Sequence, residues 1–128
     1  RAGELGYAAS YGSIGNAYHI GEGVESDMKK AIQYYELAAV GGDVVARYNL
    51  GTFEDGEGNT DRAMKHYMIA AGAGWDDSLE AIRECFMHGD ATKDDFEKAL
   101  RAHKAASDEM KSDQRNEAAA FLAATRRN

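Results

Sequence analysis

Asp55, Glu57, Asn59 and Asp61 place oxygen donors at alternate positions, as the first half of a calcium loop does. The two most demanding places of such a loop are wrong. The sixth, where the chain turns on glycine, is Thr60, and the twelfth, where a bidentate glutamate closes the shell, is His66. The stretch reads as a solvated turn. Gly21-Glu22-Gly23 and Gly56-Glu57-Gly58 have the glycines of a phosphate cradle, but no strand precedes them and no Gly-Lys-Ser/Thr follows. Cys85 and His88, three apart, could offer zinc two ligands of the four that a structural site takes. Cys85 is the only cysteine, and His19, His66 and His103 are scattered, so Cys85 is expected to pack as a small hydrophobe. Glu80, Glu84, Asp94, Asp95 and Glu97 are the residue types of acid–base chemistry without a sign of burial or an oxyanion donor, and they read as a solvated helix face. No catalytic, metal or cofactor residue is assigned, and the expectation is a non-enzyme.

The elements that carry these residues repeat. Ile14-Gly15, Leu50-Gly51 and Ile82-Arg83 are each followed by an apolar-periodic segment opening at Ala31-Ile32, Ala63-Met64 and Ala99-Leu100. Four residues on stand Tyr35, Tyr67 and His103, and seven on stand Ala38, Ala70 and Ala106. Apolar residues three, four and seven apart mark amphipathic helices, and no segment alternates long enough for a strand. Helix starts are expected at Ser26 or Asp27, Asp43, Thr60, Asp77 with Glu80, Thr92 with Asp95, and Ser112. With no proline and 14 glycines, the turns fall to Gly, Asn and Asp. Gly15, Gly51 and the alanines leave room for the opposing tyrosines, so Tyr18, Tyr35 and Tyr67 are placed in the interior, and Trp75 is placed across a hairpin junction. The fold class is all-α, with helix hairpins stacked in a quasi-one-dimensional array.

The 128 residues suffice for one domain, and a net charge of −7 opposes nucleic acid and anionic lipid as partners. No apolar run approaches the ~20 residues of a membrane span. One cysteine makes no internal disulfide, which fits a reducing, intracellular compartment.

The run from Ile14 to Ala39, followed by Gly41-Gly42-Asp43 and Ala46 to Gly51, resembles the Sel-one-like repeat (SLR), a relative of the tetratricopeptide repeat. The resemblance implies a right-handed α-α superhelix, or solenoid, of antiparallel helix pairs, with helix A on the inner, concave surface. The expected layout is a single array. Residues 1–6 end a preceding helix B, the three repeats are 8–41, 43–74 and 76–110, and 112–127 form a C-terminal capping helix with Ala118, Phe121 and Leu122 on one face. On this reading the chain starts inside a larger array. The middle copy departs from the others: Gly51 to Ala63 is 12 positions where Gly15 to Ala31 and Arg83 to Ala99 are 16. Arg83 stands where the pattern wants glycine, and Glu54 where the other copies have Tyr18 and Phe86.

Three before and one after the repeat glycine, the helix-A register gives Gly12 and Asn16, Tyr48 and Thr52, Glu80 and Glu84, with Asp55 and Met87 a turn further. This mix of aromatic, amide and carboxylate groups suits an extended peptide or a basic partner helix. The expected function is a non-catalytic scaffold or adaptor that binds a protein or peptide on Asn16, Tyr48, Thr52, Asp55, Glu80, Glu84 and Met87, with no nucleic acid, membrane or cofactor involved. Tyr48 is expected to be an exposed anchor whose loss spares the fold. The resemblance also implies two alternatives: the substrate-recruiting part of a RING- or MYND-finger ubiquitin ligase, and a β-lactam-type hydrolase, against which the lone cysteine counts and which turnover abolished by Cys85→Ala or His88→Ala would reveal.

Overall fold

A computed structural model describes residues 2–126. Its helices are α1 (Ala2–Ile20), α2 (Met28–Val40), α3 (Val44–Gly56), α4 (Thr60–Gly72), α5 (Asp76–Met87) and α6 (Lys93–Arg126), with no strand among the described residues. α1, α3 and α5 are the A helices and α2, α4 and α6 the B helices. Each A packs on its own B, α2 packs on α3, and α4 packs on both α5 and α6. That is an all-α repeat solenoid. Among the described residues no two A helices are in substantial contact, and of the B helices only α4 and α6 are.

Caps explain most of the boundaries. The Asp27 carboxylate accepts from Lys30 N at 3.2 Å, and that of Asp43 from Ala46 N at 3.1 Å. Thr92 and Asp95 form a reciprocal box: Asp95 N donates to Thr92 Oγ1 at 3.0 Å, and Thr92 N donates to Asp95 Oδ2 at 3.3 Å. Two starts differ from expectation. α5 begins at Asp76 behind Trp75, not at Asp77, and α4 begins behind Asn59, whose amide donates to Glu54 Oε2 at 2.8 Å instead of capping.

Two expected breaks are absent. α1 runs unbroken through Gly6, where the end of a preceding helix was expected. At the corresponding Gly41-Gly42-Asp43 the helix stops because Gly42 turns left-handed (φ 99°) and Asp43 caps the next helix. Gly6 is a single glycine followed by Tyr7, which offers no cap. Likewise α6 continues through Ser112 as one 34-residue helix, so 112–126 is not a separate capping helix. Beyond Gly89 the sequence has neither glycine nor proline to stop it. Arg1 and Arg127, which fall in the two expected terminal segments, and Asn128 lie outside the described residues.

The core is two clusters joined along the stack. Ala31, Tyr35, Ala38, Ala39, Ala46 and Leu50 form the first, with Tyr11, Tyr18 and Ile32 against it. Ala63, Met64, Tyr67, Ala71, Ile82, Cys85 and Ala99 form the second, with Tyr48 and Phe96 among its neighbours. Gly15 and Gly51 are the seats of the two buried tyrosines. A Cβ at Gly15 would lie 2.7 Å from Tyr35 Cδ1, and one at Gly51 would lie 2.7 Å from Tyr67 Cδ1. In the third repeat both halves of this fit change together, to Arg83 and His103. His103 Nε2 instead pairs with Asp76 Oδ1 at 2.6 Å, tying α6 to the first residue of α5.

Candidate functional site

The sequence-derived site is a register on the A helices, and the structure divides it in three. One residue after the glycine position stand Asn16, Thr52 and Glu84, all exposed. The first two are held from below. The Tyr35 hydroxyl donates to Asn16 Oδ1 at 2.6 Å and the Tyr67 hydroxyl to Thr52 Oγ1 at 3.3 Å. Burial raises the pKa of both phenols, that of Tyr67 to about 12, so both remain O–H donors through the physiological range. In the third repeat Glu84 has no tyrosine beneath it.

Three residues before the glycine, the positions are not equivalent. Gly12 is buried, and a Cβ there would lie 2.7 Å from Asp43 Oδ2, so it belongs to the packing between α1 and the α2–α3 turn. Tyr48 is half-buried against the second cluster, with its ring 5.7 Å from that of Tyr67. It is a structural residue as well as a surface one, contrary to the expectation that its loss spares the fold. Glu80 is exposed and bonds Arg83 at 3.1 Å, an i,i+3 surface pair that leaves its charge largely available. Four residues after the glycine position come His19, Asp55 and Met87, all exposed, Met87 at 70%. His19 was not singled out from sequence, although the register leads to it. Its Nδ1 lies 3.4 Å from the Tyr35 hydroxyl.

The resulting surface is polar at one end, with His19 and Asn16, and acidic at the other, with Asp55, Glu80 and Glu84. Among the described residues no group of three or more His, Cys, Asp or Glu could hold a metal ion. Cys85 is buried in the apolar second cluster, and burial pushes its thiol up, which is the reverse of an activated nucleophile. His88, three residues on, is exposed.

Three consecutive segments, residues 4–43, 44–75 and 81–107, match the Sel1 repeat. The chain belongs to the Sel1 repeat family. No curated protein matches it. The first Sel1 match opens inside α1, in keeping with the unbroken helix there, and the third closes at 107, beyond which every described residue of α6 is exposed. Sel1 repeats are generally protein–protein interaction modules and form a non-catalytic repeat scaffold. Among the described residues no helix is long and apolar enough to cross a membrane.

A link missed from sequence joins neighbouring repeats: Arg47 of α3 reaches His66 Nδ1 at 3.4 Å and the Ala39 carbonyl at 3.3 Å. Burial first, and then the Arg47 cation, lower the His66 pKa, outweighing Glu54 and Glu36. The folded chain therefore holds His66 neutral at a pH where the unfolded chain already binds the proton. This contribution to stability is complete above the ordinary histidine value of about 6.5 and falls as pH drops from there toward the lowered folded value. Thermal midpoints measured from pH 7.5 down to pH 5 are expected to fall less steeply in His66→Gln than in the parent. Parallel slopes would show that His66 is not held neutral.

Proposed function

We propose that this chain is a non-catalytic adaptor that holds a polypeptide along its A-helix face, with Asn16, Thr52 and Glu84 as a row of contacts repeated once per hairpin and Asp55, Glu80 and Met87 beside them. The observation that carries the reading is the support beneath that row. Two buried tyrosines fix Asn16 and Thr52 through their hydroxyls, so the contacts are set before a partner arrives and little ordering entropy is lost on binding. Asn16 Oδ1 is occupied by its tyrosine, which leaves the Nδ2 donors for the partner. Asp55, Glu80 and Glu84 favour lysine or arginine at the other end, and the exposed Met87 thioether offers an adaptable apolar contact. Tyr48 adds area at the base of the row without being a free anchor.

Fluorescence anisotropy against a library of extended peptides tests this. Peptides carrying lysine or arginine near an apolar residue are expected to be selected over acidic ones. Glu80→Lys with Glu84→Lys is expected to weaken the selected peptide at least about ten-fold, with no change in thermal midpoint because both residues are exposed. Binding that ignores this double reversal would place the partner on another face.

A further inference from the structure

The inward face of α6 does not stop where the array stops. Ala99 is fully buried, and Phe96, His103 and Ala106 are half-buried on the same side of the helix. Helical spacing carries that side on through Met110, Gln114, Glu117 and Phe121. From Asp108 to Arg126 every residue is exposed, with Met110 at 56%, Phe121 at 68% and Leu122 at 53%. Where α6 leaves the array, Val44, Ala73, Trp75 and Met110 frame a groove of about 560 Å³ with Asp76 and Asp77 on its lip. Trp75 Nε1 is buried there with no acceptor.

The chain thus holds both halves of a contact that it cannot make with itself. Phe121 lies 11 residues beyond Met110 on an unbroken helix, about 16 Å further from the groove. The sequence of α6 fits a second copy as the complement. If two α6 segments run antiparallel about an axis at Arg115–Asn116, Met110 of each falls opposite Phe121 of the other, and Gln114 falls opposite Glu117. The same register carries the basic end at Arg126 toward the Asp76–Asp77 lip. Such a patch is self-complementary, as a two-fold interface requires. It uses helix and groove on both copies.

We propose that the chain forms a two-fold dimer through the C-terminal half of α6, each copy seating Phe121 in the Val44–Trp75–Met110 groove of the other. This surface is separate from the A-helix row and does not depend on it. Sedimentation equilibrium of the full chain, together with its tryptophan emission, tests the proposal, because Trp75 is the only tryptophan and lines the groove. A monomer–dimer equilibrium is expected in the micromolar range, with emission shifting to the blue as dimer forms. Phe121→Glu is expected to raise the dissociation constant at least about thirty-fold, the loss of a central anchor, and to abolish the concentration dependence of the emission. Its circular dichroism and thermal midpoint in the dilute monomer should be unchanged, since Phe121 is exposed there. A chain that stays monomeric to high micromolar concentration would overturn the proposal, as would a dimer that survives Phe121→Glu or one that forms without moving the Trp75 emission.

Discussion

Gly51→Leu is expected to unfold the middle hairpin, while Gly56→Leu, five residues along the same helix, leaves it intact. The two sites differ in what a side chain meets. At Gly51 the first added carbon already lies 2.7 Å from both Cδ1 and Cε1 of Tyr67 and 3.3 Å from the Ala63 carbonyl oxygen, whereas at Gly56 nothing lies within 4 Å. Tyr67 cannot swing away, because it is 3% exposed and its hydroxyl is bonded to Thr52. Overpacking of this kind costs roughly 1–3 kcal/mol even where the core can shift, and leucine adds three more carbons than the alanine step. Displacing the ring would also break its hydroxyl bond, a further ~0.5–1.5 kcal/mol. A loss of that size lowers the thermal midpoint by on the order of 10 °C or more, against a change within about ±0.5 kcal/mol for an open surface site. A double-mutant cycle isolates the cause. The strain of Gly51→Ala should largely vanish in a Tyr67→Ala background, because the ring that the new methyl strikes is gone. Additive effects would show that Gly51 is needed for some reason other than seating Tyr67.

The third repeat makes the same point in the natural sequence. Where the glycine is replaced by Arg83, the tyrosine is replaced by His103, and the pair that no longer fits has been exchanged for a bond to Asp76. This coupling was half legible in sequence. The register placed Gly15, Gly51, Tyr35 and Tyr67 correctly because tight packing of rings on a glycine leaves a fixed spacing, and Arg83 stood out as the departure. The hydroxyl partners were not legible. Nothing in the types Asn16 and Thr52 says that a phenol from the next helix reaches them, since that contact depends on the distance between two helices and not on either pattern alone. Tyr48 was misplaced for a related reason. Its register equivalent is Gly12 in one neighbour and Glu80 in the other, so the repeat predicts a position but not its depth, which Tyr67 decides. The ends failed differently: Gly6 and Ser112 carry the residue types of boundaries without the second signal, a cap or a preceding stop, that turns such a residue into one.

Ile82→Ala is expected to release the third repeat from the second while the first remains folded. Ile82 is fully buried in a cluster drawn from two repeats: Met64, Tyr67 and Ala71 on one side and Cys85 and Ala99 on the other. Removing three carbons at such a site costs roughly 2–5 kcal/mol, the larger values holding where the neighbours cannot close the cavity. Here Ala63, Ala71, Cys85 and Ala99 are too small to reach into the cavity, and Met64 is the flexible neighbour that could partly fill it. In a stacked array that loss is not shared by the whole chain, because each hairpin touches only its neighbours and stability is a sum of repeat and junction terms. Hydrogen exchange should therefore show α5 and the first half of α6 losing protection by a factor that matches the lost free energy, with α1 and α2 nearly unchanged. The α1–α2 pair packs, together with Ala46 and Leu50 of α3, in the first cluster, which includes Tyr35 at 1% exposure and shares no buried residue with the one that Ile82 belongs to. If all six helices lost protection together, the two clusters would be one cooperative core. The chain would then unfold as a closed globule, and the A-helix row would depend on every junction at once instead of on the hairpin beneath each contact.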